Sequence, residues 1–183
     1  MRELSQGKLL VADPFLHDPH FARSVVFLAA HDADGSFGLV LNRPTEVRLD
    51  DVLPEFSGLN LVLYSGGPVE PDTLHYLHAT RGMVEGAQAV TDSLSWGGDW
   101  QHLVELMRTG RLLPSQIRFF SGYSGWGGEQ LAQEIAEQAW FITPAKNEYI
   151  LSNDAELLWK RVMTDMGEEY AMLTNAPVDP RWN

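Results

Sequence analysis

Histidines three residues apart occur twice, at His17 with His20 and at His75 with His78. Neutral imidazole is the commonest metal ligand and a general base near neutral pH, so these pairs are the first places to look for chemistry. Thr73 to Ala79 reads as a strand, with Tyr76 inside it and Pro71 and Gly82 flanking it. On a strand, residues three apart point to opposite faces, so His75 and His78 cannot share a metal. Pro19 denies His17 and His20 the helix that would let them do so, and a pair without a third ligand falls short of a zinc site. Asp32, Ala33, Asp34 and Gly35 begin like a calcium loop but lack the glycine at position six and the closing glutamate. Ser65 stands before Gly66 and Gly67, yet a nucleophile elbow needs a glycine where Leu63 is, and Ser124 is followed by Gly125 and Trp126, which breaks the pattern too. No catalytic residue, metal-ligand set or cofactor motif is nominated.

The stretch that organises the chain runs from Gln116 to Trp140. A β-branched and aromatic run, Ile117 to Phe120, leads into a glycine-dense turn, Gly122 to Gly128, and then into a helix whose buried face is Leu131, Ala132, Ile135, Ala136 and Ala139. A glycine turn before a helix can bind phosphate through free backbone NH groups. Here neither a Walker pattern nor Gly-x-Gly-x-x-Gly is present and Glu129 repels an anion, so a packed turn anchored by Tyr123 and Trp126 is the preferred reading. Arg43, between Asn42 and Pro44 at a strand end, has the fork geometry to hold a carboxylate or a backbone turn. Bracing a loop is preferred to ligand capture.

Further strands are expected at Lys8 to Ala12, at Arg23 to His31 and Ser36 to Asn42 as a hairpin turned by Asp34 and Gly35, at Asn60 to Tyr64, weakly at Ala87 to Ser95, at Trp140 to Thr143 and at Glu148 to Leu151. Asp50 and Asp51 are expected to cap a short helix ending before Pro54. Asp99 as N-cap, the stripe Trp100, Leu103, Val104 and Met107, and Gly110 as C-cap define a second. A last helix follows Asn153 or Asp154, carries Leu158, Val162, Met163 and Met166, and stops at Gly167. Ala171 to Asn183 reads as a tail whose Trp182 can dock on the body or on a second subunit.

With 183 residues and 44% hydrophobic content the chain is of one-domain length. A net charge of -12 with scattered Lys and Arg opposes phosphate backbones, so direct nucleic-acid contact is not expected. The absence of cysteine removes disulfides, thiolate nucleophiles and cysteine metal sites. The polar start, Arg2, Glu3, Ser5 and Gln6, and the short apolar run ended by Asp13 and Pro14 give neither a signal peptide nor a membrane span, so the expected location is cytoplasmic.

Several strings together resemble the AlgH/YqgE family of bacterial proteins, labelled transcriptional regulators although no biochemical activity is assigned to them. They are Asp18, Pro19 and Phe21 with Ser24 to Val26; Gly38 to Pro44; Gly66 to Val69 with Leu77 and His78; and Gly122 to Trp126 with Gln130, Leu131, Glu134, Ile135 and Trp140. They extend from residue 13 to about residue 166 in order. The resemblance implies a single α/β domain of α+β type over 1–183, with a mixed, mostly antiparallel, bifurcated or pseudo-barrel sheet and packed helices. Two departures are visible: Glu129 replaces an expected glycine, and Pro177 to Asn183 replaces the Gly-His-Ala type of ending.

The function expected is that of a non-enzymatic regulatory or interaction protein, monomeric or weakly dimeric, acting on a protein partner without cofactor, metal or membrane. Its candidate surface is Asn42, Arg43, Pro44, Ser65, Gly66, Gly67, His78, Gly122, Tyr123, Trp126 and Gln130. The alternative is a small-molecule binder or enzyme with a pocket near the Asn42–Pro44, Ser65–Pro68 and Gly122–Gly128 turns, using His78, Arg43 and Ser65 as its polar groups.

Overall fold

The computed structural model describes residues 4–80 and 82–176; Arg2, Glu3 and the Pro177 to Asn183 ending with Trp182 lie outside them. Ten strands are present among these residues. β1 (Lys8–Ala12), β2 (Val25–His31), β3 (Gly35–Val40), β4 (Pro44–Arg48), β5 (Val62–Ser65) and β6 (Val69–His78) precede the two-residue strands β7 (Gln88–Ala89) and β8 (Ser95–Trp96). β9 (Ile117–Gly127) and β10 (Trp140–Pro144) complete the set. The helices are α1 (Leu49–Val52), α2 (Trp100–Arg108), α3 (Gln130–Ala136), α4 (Asn147–Ile150), α5 (Ala155–Met166) and α6 (Glu168–Leu173).

The strands lie in the order β10-β1-β2-β3-β9-β6-β8-β7, antiparallel throughout, while β5 adds parallel to β9 and carries β4 on its far side. The architecture is mixed α/β with a curled, bifurcated sheet. The fork lies in β9. Its first half pairs with β5 and β6, from Leu63↔Phe119 to Ser65↔Ser121 and from Leu74↔Ser121 to His78↔Ile117. Its second half pairs with β3, from Gly38↔Ser124 to Gly35↔Gly127.

Alternation along β1 and β2 sends Leu9, Val11, Val25 and Phe27 to a core under α5, and Leu10, Val26 and Leu28 to a second core with Leu131 of α3 and with Trp126 and Trp140. Both faces of these strands are covered. A third cluster sets Leu103, Leu106 and Met107 of α2 against Tyr76, Ile117 and Phe119. Each such side chain, fully buried, contributes roughly 1.5–3 kcal/mol of transfer free energy.

The hairpin is present, but its turn chemistry comes from Asp32: its carboxylate accepts from the NH groups of Asp34 at 2.9 Å and Gly35 at 3.1 Å. α2 has its expected N-cap, the Asp99 carboxylate accepting from the His102 NH at 2.7 Å. Asp50 and Asp51 lie in the first turn of α1, where acids suit the dipole, and Arg48 is the N-cap residue. Three further expectations are corrected. Gly122 to Gly127 is strand and not turn, because Ser124 to Gly127 pair with β3 and Tyr123 pairs with Val69 of β6. Glu148 to Leu151 is not a strand, because Asn147–Ile150 forms the single turn α4, closed by the Leu151 NH on the Asn147 carbonyl. The segment beginning at Ala171 is the end of α6 and not the start of a tail. No helix among the described residues is long and apolar enough to cross a membrane.

Candidate functional site

The fork brings two of the three nominated segments into backbone contact. The Gly66 NH donates to the Ser121 carbonyl at 2.8 Å and the Ser124 hydroxyl to the Gly66 carbonyl at 3.0 Å. A Cβ on Gly66 would lie 2.3 Å from the Gly122 carbonyl oxygen, and one on Gly67 2.3 Å from the Tyr123 carbonyl carbon. These glycines are the condition for two chains to cross without a layer of side chains between them. Gly122 itself sits at φ +64, a left-handed conformation that resets the alternation of β9. Consequently Phe120 and Tyr123, three residues apart, pack against the same core.

The third segment meets the Ser65 segment through its backbone and is tied as well to the start of β2. Asn42 accepts from the Val25 NH at 3.0 Å and donates to the Arg23 carbonyl at 2.9 Å, extending the ladder past the end of β3. Arg43 donates to the Ala22 carbonyl, and burial lowers its pKa. Pro44 opens β4, and the Ser65 NH donates to the Arg43 carbonyl at 2.8 Å.

His78 is fully buried. Its Nε2 lies 2.9 Å from the Gly97 carbonyl, which only accepts, so Nδ1 receives the Thr80 hydroxyl proton across 2.6 Å. Burial depresses its pKa, and the ring is held neutral in one tautomer. Along β9, its partner Ile117 stands four residues from Ser121, the partner of Ser65, or ~13 Å at the usual strand rise. His78, Arg43 and Ser65 therefore do not share a pocket. Trp126 is 5% exposed; its indole NH and that of Trp140 both donate to Glu134 Oε2, at 2.9 and 2.8 Å, and Gln130 donates to Oε1 at 2.9 Å. Glu134 is thus the clasp between β9, α3 and β10.

What the fork does present is a partly buried aromatic stack at the edge of a core. Phe37 of β3 lies between Trp96, with centroids 4.5 Å apart, and Tyr123, 4.6 Å away, both within 28° of parallel. His75 closes the edge, 5.1 Å from Phe37 and 5.7 Å from Tyr123. The Tyr123 ring leans over Gly125, whose Cβ would lie 3.2 Å from it, and Gly125 is the register partner of Phe37. His75 is pushed down in pKa by desolvation, opposed by the charge of Glu70, and its Nε2 donates to the Thr73 hydroxyl at 3.0 Å, since that hydroxyl donates to the Glu70 carbonyl. A cleft of about 510 Å³ adjoins the stack, bounded by Asp32, Ser36, Val69 and Tyr123. Glu70, Asp72, Asp32 and Asp34 are exposed.

Phe37, His75 and Trp96 were outside the nominated surface. The visible signal was aromatic content at strand positions, but strands distant in sequence bring the rings together. A serine and an imidazole meet where Ser36 Oγ lies 2.8 Å from His31 Nδ1, but no carboxylate among the described residues orients that ring. No group of three or more His, Asp and Glu among the described residues is arranged to hold a metal. A groove of about 1220 Å³ runs along β10 between Phe15 and α6 and contains none of the nominated residues.

The family model that matches this sequence is described as AlgH-like and covers residues 9–171. A UPF0301 protein of Cytophaga hutchinsonii is 39% identical over 181 residues, covering 98% of this chain and all of that one (100%). Another, of Chlorobaculum parvum, is 37% identical over 180 residues, covering 98% and 96%. Among solved structures, protein DIP2367 of Corynebacterium diphtheriae superposes with a TM-score of 0.84 at 25% identity, covering 96% of this chain and 94% of that one. The solution structure of AlgH from Pseudomonas aeruginosa gives 0.74 at 25% identity over 97% and 98%.

Proposed function

The chain belongs to the AlgH-like family, and from that membership we propose that it is a non-enzymatic cytoplasmic interaction protein whose contact face is the Phe37 stack. The carrying observation is that Phe37, Trp96, Tyr123 and His75, each partly exposed at the edge of a core, are held in fixed mutual geometry. A preorganised aromatic platform gives contact area at little entropic cost. With Glu70 and Asp32 beside it, the partner chemistry that fits is a segment bearing arginine or lysine, stacked over the rings. A regulatory role of the kind the family label names then runs through a protein partner and not through direct contact with DNA, which the net charge of -12 opposes.

The test is capture of partners from cell lysate by the folded wild type, by Trp96→Ala and by Tyr123→Ala, compared by quantitative mass spectrometry. Loss of the same proteins in both variants is expected, with stronger retention by the wild type at low salt. An unchanged set retained by both folded variants overturns the reading.

A further inference from the structure

A separate cavity of about 450 Å³ lies where the segment before β2, the end of β3 and the first turns of α5 meet. Arg23, Arg43 and Lys160 line it, with Glu156 as the lining carboxylate. The three cations come from positions far apart in sequence, in a protein whose net charge is -12. None of them is ion-paired among the described residues, where the ion pairs involve His20, Arg48, Lys146 and Arg161.

The two guanidinium groups are fixed. Arg23 sits at φ +53, a left-handed conformation uncommon for a residue with a side chain, and its guanidinium lies 5.0 Å from the centroid of Trp159. One of its terminal nitrogens donates to the Ala176 carbonyl, whereas Nε is buried without a hydrogen-bond partner. Arg43 spends one donor on the Ala22 carbonyl and is desolvated. A guanidinium has five NH donors, so a single carbonyl brace leaves most of each fork unused. Bracing alone needs neither a second arginine nor Lys160 on the same cavity. Buried NH groups and desolvated cations are costly unless an acceptor of opposite charge meets them.

We propose that this cavity binds a small phosphomonoester, gripped by Arg23 and Arg43 and neutralised by Lys160. Three cations less one carboxylate leave two positive charges, which match a phosphomonoester carrying about -1.5 to -2 at pH 7. The planar forks suit phosphate oxygens bidentately, and Lys160 acts as a point charge at the rim.

The experiment is a ¹H–¹⁵N NMR titration of the folded full chain with inorganic phosphate, phenyl phosphate and succinate at constant ionic strength, observing the arginine Nε–H signals. Both phosphates should shift the Arg23 signal saturably, and phenyl phosphate should bind at least as tightly as inorganic phosphate. Lys160→Met removes an exposed charge and leaves both carbonyl braces intact, so it should fold normally and weaken phosphate by about tenfold, as expected for one charge-assisted contact. Equal affinity in wild type and Lys160→Met, shifts confined to other residues, or succinate binding as tightly as the phosphates would each overturn the assignment.

Discussion

Replacing Gly122 by alanine tests the crossing on which the sheet and the aromatic stack depend. The new Cβ would lie 2.7 Å from the Gly67 carbonyl oxygen, 2.8 Å from that of Val69 and 3.1 Å from Pro71 Cα, all backbone atoms that cannot rotate away. At φ +64 the left-handed conformation itself costs alanine ~1–2 kcal/mol, and relieving the overpacking costs a further ~1–3 kcal/mol. The total of ~2–5 kcal/mol corresponds, at roughly 2–4 °C per kcal/mol for a chain of this size, to a fall in Tm of ~4–20 °C. Gly127, five residues along the same strand, is the control. A Cβ there meets nothing within 4 Å and the residue has no left-handed φ, so Gly127→Ala should stay within ~0.5 kcal/mol of wild type. Differential scanning calorimetry on both variants makes the comparison. If Gly122→Ala melts within 2 °C of wild type, the backbones do not cross as closely as described and the account of the fork fails.

Two further outcomes follow from buried polar groups. Glu134→Ala strips the acceptor from two indole NH groups and should cost ~2–4 kcal/mol in urea denaturation, at the lower end of the range for two bonds to a charged group because the site is only partly buried; a loss below ~0.5 kcal/mol would show that the clasp is idle. His78 and His75 both have pKa values lowered by burial from the ordinary 6.5, so on acidification the unfolded chain takes up their protons first. Their contribution to stability is complete above about pH 6.5 and is lost as pH falls below it towards the folded-state values. Tm should therefore decline from pH 7 to pH 5, and His78→Gln should flatten that decline even though it lowers Tm at neutral pH. An unaltered slope in the variant would refute the role given to His78.

Local chemistry made α2 readable: a carboxylate cap at Asp99, one apolar stripe and Gly110 all act within a single element. β9 was readable only up to Phe120. Gly122 and Gly125 look like parts of a turn because the reason for the first lies on other strands, in the backbone at Gly67 and Val69, and the reason for the second is the ring of Tyr123 folded over it. The same limit applies to the surface. Tyr123 was nominated and stands in the stack, whereas Trp126, on the opposite face once Gly122 has reset the alternation, is inside a core. Alternation counted through Gly122 gives the wrong face for everything after it. α4 misleads because Tyr149 and Ile150 favour strand in isolation, yet both are buried there in a single helical turn. Arg23, Arg43 and Lys160 show no pattern in sequence, since only the tertiary fold places them on one cavity.

Because β9 joins both branches of the sheet, the order of synthesis matters as well as the final contacts. The strands that flank it, β3, β5 and β6, are made long before Ile117, and β10, which closes the far edge on β1, comes later still. At ~5–20 residues per second, the first 116 residues are produced over roughly 6–23 s before β9 begins to emerge. During that interval the β2–β3 hairpin can form locally, but the edges that β9 will cover stay open. On a nascent chain those edges therefore stay uncovered until translation passes the fork.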